Sequence, residues 1–249
     1  MRKTTLAMVA VLALTVMAWA GGDPWKKPFG EWTEKDVALI QQNSPWAKTL
    51  QAQGAWRPDG VTQVSGSVGV AGSASDNSKT SAGATPDTPG GLEKNASAAA
   101  ARATYNVWWW SSRAIRAASF RDAVLKGKMT QPDAEKSVAQ PMDEYEILVR
   151  ATNMYVFQQR GEKAFESAAY LQIKKAKTKI SPSHVAFLKG PDGQSVTGAV
   201  FYFPKKSASG ERTIGPDDKE VDFYLQVGDA KLITYFEPKK MVDSQGEDL

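Results

Sequence analysis

His184 is the single histidine of this 249-residue chain and the first candidate for acid–base chemistry. It follows Ser181-Pro182-Ser183 at the predicted start of a strand. A serine hydrolase needs a nucleophile, a base and an orienting carboxylate that meet in space, and neighbouring positions in a sequence do not establish this. The nearest approach to a nucleophile elbow, Ser65-Gly66-Ser67-Val68-Gly69, lacks the first glycine of G-x-S-x-G. The sequence therefore favours a surface histidine over a catalytic one.

Metal and cofactor chemistry has little support in the sequence. One histidine and no cysteine cannot supply the usual ligands of zinc. Two acidic clusters, Asp143-Glu144-x-Glu146 and Asp217-Asp218-x-Glu220-x-Asp222, lack the spacing and the glycine of an EF-hand loop and are typical of solvated turns. The sequence has neither a P-loop nor a G-x-G-x-x-G motif after a strand. We predict no metal and no cofactor.

The densest basic run is a second candidate, this time for binding. Lys174, Lys175, Lys177 and Lys179 alternate closely enough for three of them to lie on one face of a strand. Such a face could bind an anionic polymer or a lipid headgroup. It could equally be an edge strand that lysines protect against pairing with other chains. Our candidate binding residues in this run are Lys174, Lys175 and Lys177.

Three consecutive tryptophans, Trp108, Trp109 and Trp110, are the most suggestive feature. In a strand, Trp108 and Trp110 point to one face and Trp109 to the other, so one face away from the core could present an indole. Each ring can bury roughly 150–250 Å². Either the aromatic segment from Trp25 to Trp56 covers that face, or the face is a platform for a sugar ring or a protein partner. All three tryptophans are therefore candidate binding residues.

The elements that position these residues are predicted from hydrophobic periodicity. Tyr105 to Trp110 is predicted to be a strand that leads directly into a helix over Ser111 to Leu125. The alternation from Val221 to Phe236 around Gly228-Asp229 predicts a hairpin. Further strands are predicted at 145–151, 170–179, 184–188 and 197–203. Together they predict an α+β fold with a mostly antiparallel sheet of about six strands and helices on one face.

The N-terminus is predicted to be a cleavable signal peptide. A basic start, an apolar run from Leu6 to Met17 and the motif Ala18-Trp19-Ala20 predict cleavage after Ala20. The run is too short for a membrane span, which needs about 20 residues. We therefore expect a secreted or periplasmic protein with no transmembrane segment after cleavage. Loss of Arg2 and Lys3 lowers the formal charge of +4 by two, a balance too mild to predict nucleic-acid binding.

Composition divides the chain into four predicted parts. Residues 1–20 are the signal peptide, and 21–57 form a tryptophan-rich helical segment that packs on the main domain. In that segment Thr33-Glu34-Lys35-Asp36 fits a capping box, and Ser44-Pro45 could start a second short helix. Residues 58–101, rich in Gly, Ser, Ala and Thr, are predicted to be a disordered linker. Residues 102–249 form the α+β domain.

Three strings of residues carry a resemblance to known sequences. They are Trp32-Thr33-Glu34-Lys35-Asp36-Val37 followed by Ser44-Pro45-Trp46-Ala47-Lys48; Trp110-Ser111-Ser112 followed by Ile115-Arg116 and Ala118; and the C-terminal stretch from Val221 to Val242. With these strings the chain resembles a family of uncharacterised secreted bacterial proteins. The resemblance implies export and a shared fold, and it implies no activity. The long insert rich in glycine and serine has no counterpart that we can place.

These observations favour an exported, non-catalytic protein that binds a partner or an envelope component. The expected partner is an unknown protein or an envelope polysaccharide, with the sheet and the three tryptophans as the contact region. The alternative is a secreted hydrolase whose carboxylates converge in a cleft, since any two of 27 acidic residues could meet. A hydrolase should have facing carboxylates with shifted pKa values in a concave pocket.

Overall fold

The computed structural model describes residues 22–51 and 103–249. The predicted signal peptide and the predicted linker at 58–101 lie outside these residues. Helices α1 to α5 are, in order, Glu34–Gln42, Arg113–Leu125, Gln131–Val138, Tyr155–Arg160 and Glu162–Glu166. Strands β1 to β11 are, in order, Ala47–Gln51, Thr104–Trp109, Glu144–Ala151, Ala169–Ile173, Thr178–Ile180, His184–Lys189, Val196–Pro204, Val221–Val227, Ala230–Phe236, Val242–Asp243 and Gly246–Glu247.

The larger sheet has five strands in the order β1-β2-β3-β7-β6, and every neighbouring pair is antiparallel. Its register places Trp109 beside Ile147, and Ile147 beside Phe201. Because these residues are opposite one another in antiparallel strands, they share one face of the sheet. We call this the inner face and the opposite one the outer face.

The second sheet has four antiparallel strands in the order β5-β4-β8-β9. The predicted hairpin from Val221 to Phe236 is confirmed, with a two-residue loop between Val227 and Ala230. Gly228 has a φ of 60°, which suits the first central position of a type II′ turn. Leu225 pairs with Leu232 on the buried side of this sheet.

The two sheets pack face to face through aromatic side chains. Phe223 of β8 lies with its ring centroid 5.6 Å from that of Phe201, and Phe236 of β9 lies 5.1 Å from Trp109. The α+β class and the mostly antiparallel pairing are confirmed. Strands β1 to β9 are divided between this pair of sheets, and β10 and β11 pair separately as a two-stranded antiparallel sheet. The periodicity of a strand identifies its buried side, and it does not specify which sheet the strand joins.

The N-terminal segment contributes both a helix and a strand. α1 begins with the predicted capping box, in which the Thr33 hydroxyl accepts from the Asp36 amide at 3.3 Å and Asp36 accepts from the Thr33 amide at 3.0 Å. The predicted short helix after Ser44 is wrong, because Ala47–Gln51 pairs with the edge of β2. Backbone pairing with a neighbouring strand outweighs a weak local helix preference.

The helices after β2 extend the packing around this segment. α2 follows β2 as predicted and is capped at Ser112, whose hydroxyl accepts from the Ile115 amide. α2 packs against both α1 and α3. The polar segment at 130–141 contains the eight-residue helix α3, which Thr130 caps. Within 22–51 and 103–249, every helix is too short or too polar to cross a bilayer.

Candidate functional site

The three tryptophans have different environments. Trp109 lies on the inner face with none of its surface exposed, and its ring centroid is 5.4 Å from Tyr145 and 5.1 Å from Phe236. Trp108 and Trp110 are half-buried and alternate with it. Trp110 begins the turn into α2, where its amide donates to the Glu146 carbonyl at 2.6 Å. Full burial places Trp109 in the core, so Trp108 and Trp110 are the two that a ligand could reach.

Trp108 lies at an open cleft of about 600 Å³ between the end of α1 and the outer face of the sheet. Its indole Nε1 donates to the Gln41 carbonyl oxygen at 2.7 Å, which fixes the ring against the helix end. The residues that line the cleft come from α1 and its end, from β1 and from β2. They are Gln41, Gln42, Asn43, Thr49, Asn106 and Trp108.

The local sequence explains why these side chains meet. α1 ends at Gln42, and the amide of the cap residue Asn43 donates to the Leu39 carbonyl at 2.8 Å. The chain then turns through Ser44 and Pro45 into β1. β1 pairs with β2 so that Thr49 lies opposite Asn106. The Thr49 hydroxyl donates to Asn106 Oδ1 at 2.8 Å and so orients the amide.

The cleft has the chemistry of a site for a neutral, hydroxyl-rich ligand. None of its six lining residues carries a charge. Amide and hydroxyl groups can both donate and accept hydrogen bonds, as sugar hydroxyls require. An aromatic ring beside them offers an apolar surface on which the face of a sugar ring can stack. A concave site with one aromatic wall and several convergent polar groups is typical of small-molecule recognition.

The histidine site does not have the geometry of a catalytic triad. β6 begins at His184 as predicted, and the Ser183 hydroxyl donates to Glu144 Oε1 at 2.5 Å. Ser183 Oγ lies 3.1 Å from His184 Nδ1, and Glu144 Oε2 lies 3.9 Å from the same nitrogen. A triad histidine lies between the serine and the carboxylate and uses one ring nitrogen for each. Here both groups approach Nδ1, so the imidazole cannot relay a proton between them.

Carboxyl groups with raised pKa values lie away from the walls of the Trp108 cleft. Burial raises the pKa of Asp248, although the amides of Ala114 and Arg113 and the Arg113 guanidinium oppose the shift. Burial also raises the pKa of Glu146, against the effect of Arg116. For Asp222, burial and the neighbouring Glu220 raise the pKa together. The facing carboxylates expected of a hydrolase are therefore not found in the cleft.

The lysine run is arranged differently from the prediction. β4 ends at Ile173, and Lys174 to Lys177 form a turn, with Lys177 at a φ of 55°, before β5 begins at Thr178. The predicted continuous strand through Lys179 is thus wrong, because the chain reverses inside it. Lys174, Lys175 and Lys177 are all exposed, and the Lys174 ammonium binds Glu220 Oε1 at 2.5 Å. These lysines do not join Trp108 in the cleft.

Several residues of the Trp108 cleft were not predicted from the sequence to be binding residues. Gln41, Gln42 and Asn43 stand at the polar end of a helix, and Asn106 stands two residues before Trp108. The spacing of Asn106 and Trp108 was a usable signal, since alternate residues share a face of a strand. Thr49 gave none, because β1 was not predicted. Among the described residues, no group of three or more Asp, Glu or His side chains is placed to hold a metal ion.

Comparison of the chain with models of protein families, with curated proteins and with solved structures found no match.

Proposed function

We propose that this chain is an exported, non-catalytic binding module and that its Trp108 cleft holds a sugar unit of a neutral polysaccharide in the envelope or the extracellular space. The observation that carries the proposal is the uncharged wall of amides and a hydroxyl beside a half-buried indole. Export and the resemblance to secreted bacterial proteins belong to the same proposal.

The hydrogen bond of Trp108 explains how the ring could serve as a platform. Its Nε1 is already bound to the Gln41 carbonyl, so the ring face, not the indole N–H, is what it offers to a ligand. The Thr49–Asn106 bond holds a second group at the cleft in a fixed orientation. A platform that is rigid before binding loses little side-chain entropy when a sugar arrives.

The affinity for one short oligosaccharide should be modest. The cleft is open and supplies a single aromatic ring, and an aromatic contact contributes about 0.5–1.5 kcal/mol beyond the area it buries. We expect a dissociation constant on the order of 1 mM, or about 4 kcal/mol of binding free energy. Longer chains would bind more tightly only if neighbouring sugar units also contact the surface.

Isothermal titration calorimetry tests the proposal. The mature protein is titrated with neutral hexasaccharides of glucose, of xylose and of N-acetylglucosamine. Trp108→Ala should weaken binding of the preferred sugar at least about tenfold, or ~1.4 kcal/mol. Tyr235→Ala is the matched control, because Tyr235 is 51% exposed on β9 and does not line the cleft. Circular dichroism confirms that both variants are folded.

Two results would overturn the proposal. One is that none of the three sugars binds. The other is that Trp108→Ala and Tyr235→Ala bind like the unsubstituted protein. Export is tested separately by sequencing the N-terminus of protein recovered outside the cytoplasm, where Gly21 is the expected first residue.

A further inference from the structure

A second cleft, distinct from the Trp108 cleft, is lined by basic side chains. Its volume is about 280 Å³, and its walls are Tyr145, Lys205, Lys206, Arg212 and Leu249. The three cations lie at the two ends of the loop that follows β7. Lys206 and Arg212 form an antiparallel bridge, and the Thr213 amide donates to the Lys205 carbonyl at 3.0 Å. The backbone of the loop therefore holds the three cations together.

Two of these cations form no ion pair in the part of the chain that the structure describes. Within residues 22–51 and 103–249, no carboxylate oxygen lies within 4.0 Å of the ammonium group of Lys205 or Lys206. Lys205 is half-buried, and its Nζ donates to the Met142 carbonyl at 2.9 Å and lies 5.3 Å from the centroid of the Tyr145 ring. An ammonium group has three N–H donors, so two remain for a ligand.

The third cation is paired and completes the wall. The Arg212 guanidinium binds Glu247 with two nitrogens, and its Nε donates to the Tyr145 hydroxyl at 3.4 Å. Of the three cations, Arg212 is the one that has a carboxylate within 4.0 Å among the described residues, and the ammonium groups of Lys205 and Lys206 remain without an ion pair. Burial lowers the pKa of Lys205, and the nearby Arg116 and Arg212 lower it further, against Asp248 and Asp143. An anion beside Lys205 would relieve this repulsion.

We propose that this cleft binds a phosphate group, either free or as a monoester. A phosphate carries about 1.5 to 2 negative charges at neutral pH and three strong acceptor oxygens, which match the two ammonium groups without an ion pair and their free N–H donors. The volume accommodates the phosphate and a small substituent, and it is too small for a folded partner. The site is independent of the Trp108 cleft, so either can fail without the other.

Thermal unfolding of the mature protein in rising inorganic phosphate, with chloride added to hold the ionic strength constant, tests the site. A ligand that binds only the folded state raises Tm in a saturable way. Lys205→Gln and Lys206→Gln should each weaken binding at least tenfold. Lys206 is exposed, so its variant leaves folding intact even if Lys205→Gln does not. Lys231→Gln is the matched control, because Lys231 is an exposed lysine on β9.

Two further probes identify where the phosphate comes from. Glucose 6-phosphate is compared with glucose, and vesicles containing phosphatidic acid are compared with vesicles of phosphatidylcholine alone. A response to free phosphate, the sugar phosphate or the lipid that Lys206→Gln removes and Lys231→Gln keeps supports the site and names its source. Failure of all three probes, or equal responses from both variants, overturns it.

Discussion

The two faces of the five-stranded sheet place the same residue type in opposite environments. On β2, Trp109 points to the inner face and is fully buried, whereas its neighbour Trp108 points to the outer face and remains partly exposed. Trp108 has its indole N–H bound to a carbonyl, and Trp109 Nε1 has no hydrogen-bond partner among the described residues. The face of the strand, more than the residue type, therefore decides what each indole does.

The magnitudes explain why an unpaired indole N–H is tolerated on the inner face. Burying a tryptophan removes roughly 150–250 Å² from water, which is worth about 4–6 kcal/mol at ~25 cal/mol per Å². A buried donor without a partner costs about 1–3 kcal/mol. Apolar burial therefore exceeds the penalty at Trp109. On the outer face less area is buried, so the bond from Trp108 to Gln41 has more influence on where the ring lies.

The largest expected effect comes from the inner face. Trp109→Ala should lower the free energy of unfolding by about 3–5 kcal/mol, because it leaves a cavity between Tyr145 and Phe236. Trp109→Phe keeps an aromatic ring and removes the unpaired N–H, so it should cost clearly less. Urea unfolding of both variants measures the difference. Equal losses in the two variants would contradict the assignment of Trp109 as a ring that acts through packing alone.

The next largest effect is the loss of stability at alkaline pH, and it comes from Tyr105 on the same inner face. Tyr105 is fully buried, and burial raises its pKa to about 12. An ordinary tyrosine has a pKa of about 10, so above that pH the unfolded chain loses this proton before the folded one does. The stabilisation is complete below about pH 10 and is lost as the pH rises through the folded value, by up to ~2.7 kcal/mol.

Tyr105→Phe measures this contribution, because phenylalanine cannot ionise. Urea unfolding of both proteins at intervals from pH 8 to pH 12 should give a constant difference below about pH 10. Above it, the unsubstituted protein should lose stability faster than the variant. Parallel curves over the whole range would show that Tyr105 ionises as readily in the folded chain as in the unfolded one.

On the outer face, substitutions of Trp108 are expected to cost less stability. Their effects on stability and on sugar affinity should also differ from one another. Trp108→Phe removes the bond to Gln41 and keeps an aromatic face, so it should cost about 1 kcal/mol and retain part of the sugar affinity. Trp108→Ala should lose that affinity. Chemical denaturation and calorimetry on the same samples test both statements. A loss as large as that of Trp109→Ala would remove the contrast between the faces.

The sequence predicted this contrast better than it predicted the site. Alternation along β2 correctly placed Trp109 opposite to Trp108 and Trp110, since the side-chain period of a strand is fixed. The capping box at Thr33 and the hairpin around Gly228 were also readable, because both depend on residues close in sequence. Local signals of this kind carry over from sequence to structure.

The parts that could not be predicted depend on long-range pairing. Nothing in Ala47-Lys48-Thr49-Leu50 marks β1, which forms because the edge of β2 offers it backbone partners. The Trp108 cleft needs that strand and the end of α1 to meet a strand about 60 residues further along. The lysine turn was missed because Lys177 adopts a positive φ that lysine rarely takes.

The smallest expected effect tests whether the outer face is organised for binding. Thr49→Val removes the hydroxyl that holds Asn106, and it should change stability by only about 0.5 kcal/mol because the bond is exposed. The sugar affinity should nevertheless fall several-fold, because Asn106 loses its fixed orientation. Thr49→Ser keeps the hydroxyl and is the matched control. If calorimetry gives both variants the same sugar affinity, the Thr49 hydroxyl does not orient Asn106 for binding. Trp108 alone then distinguishes the outer face from the inner one.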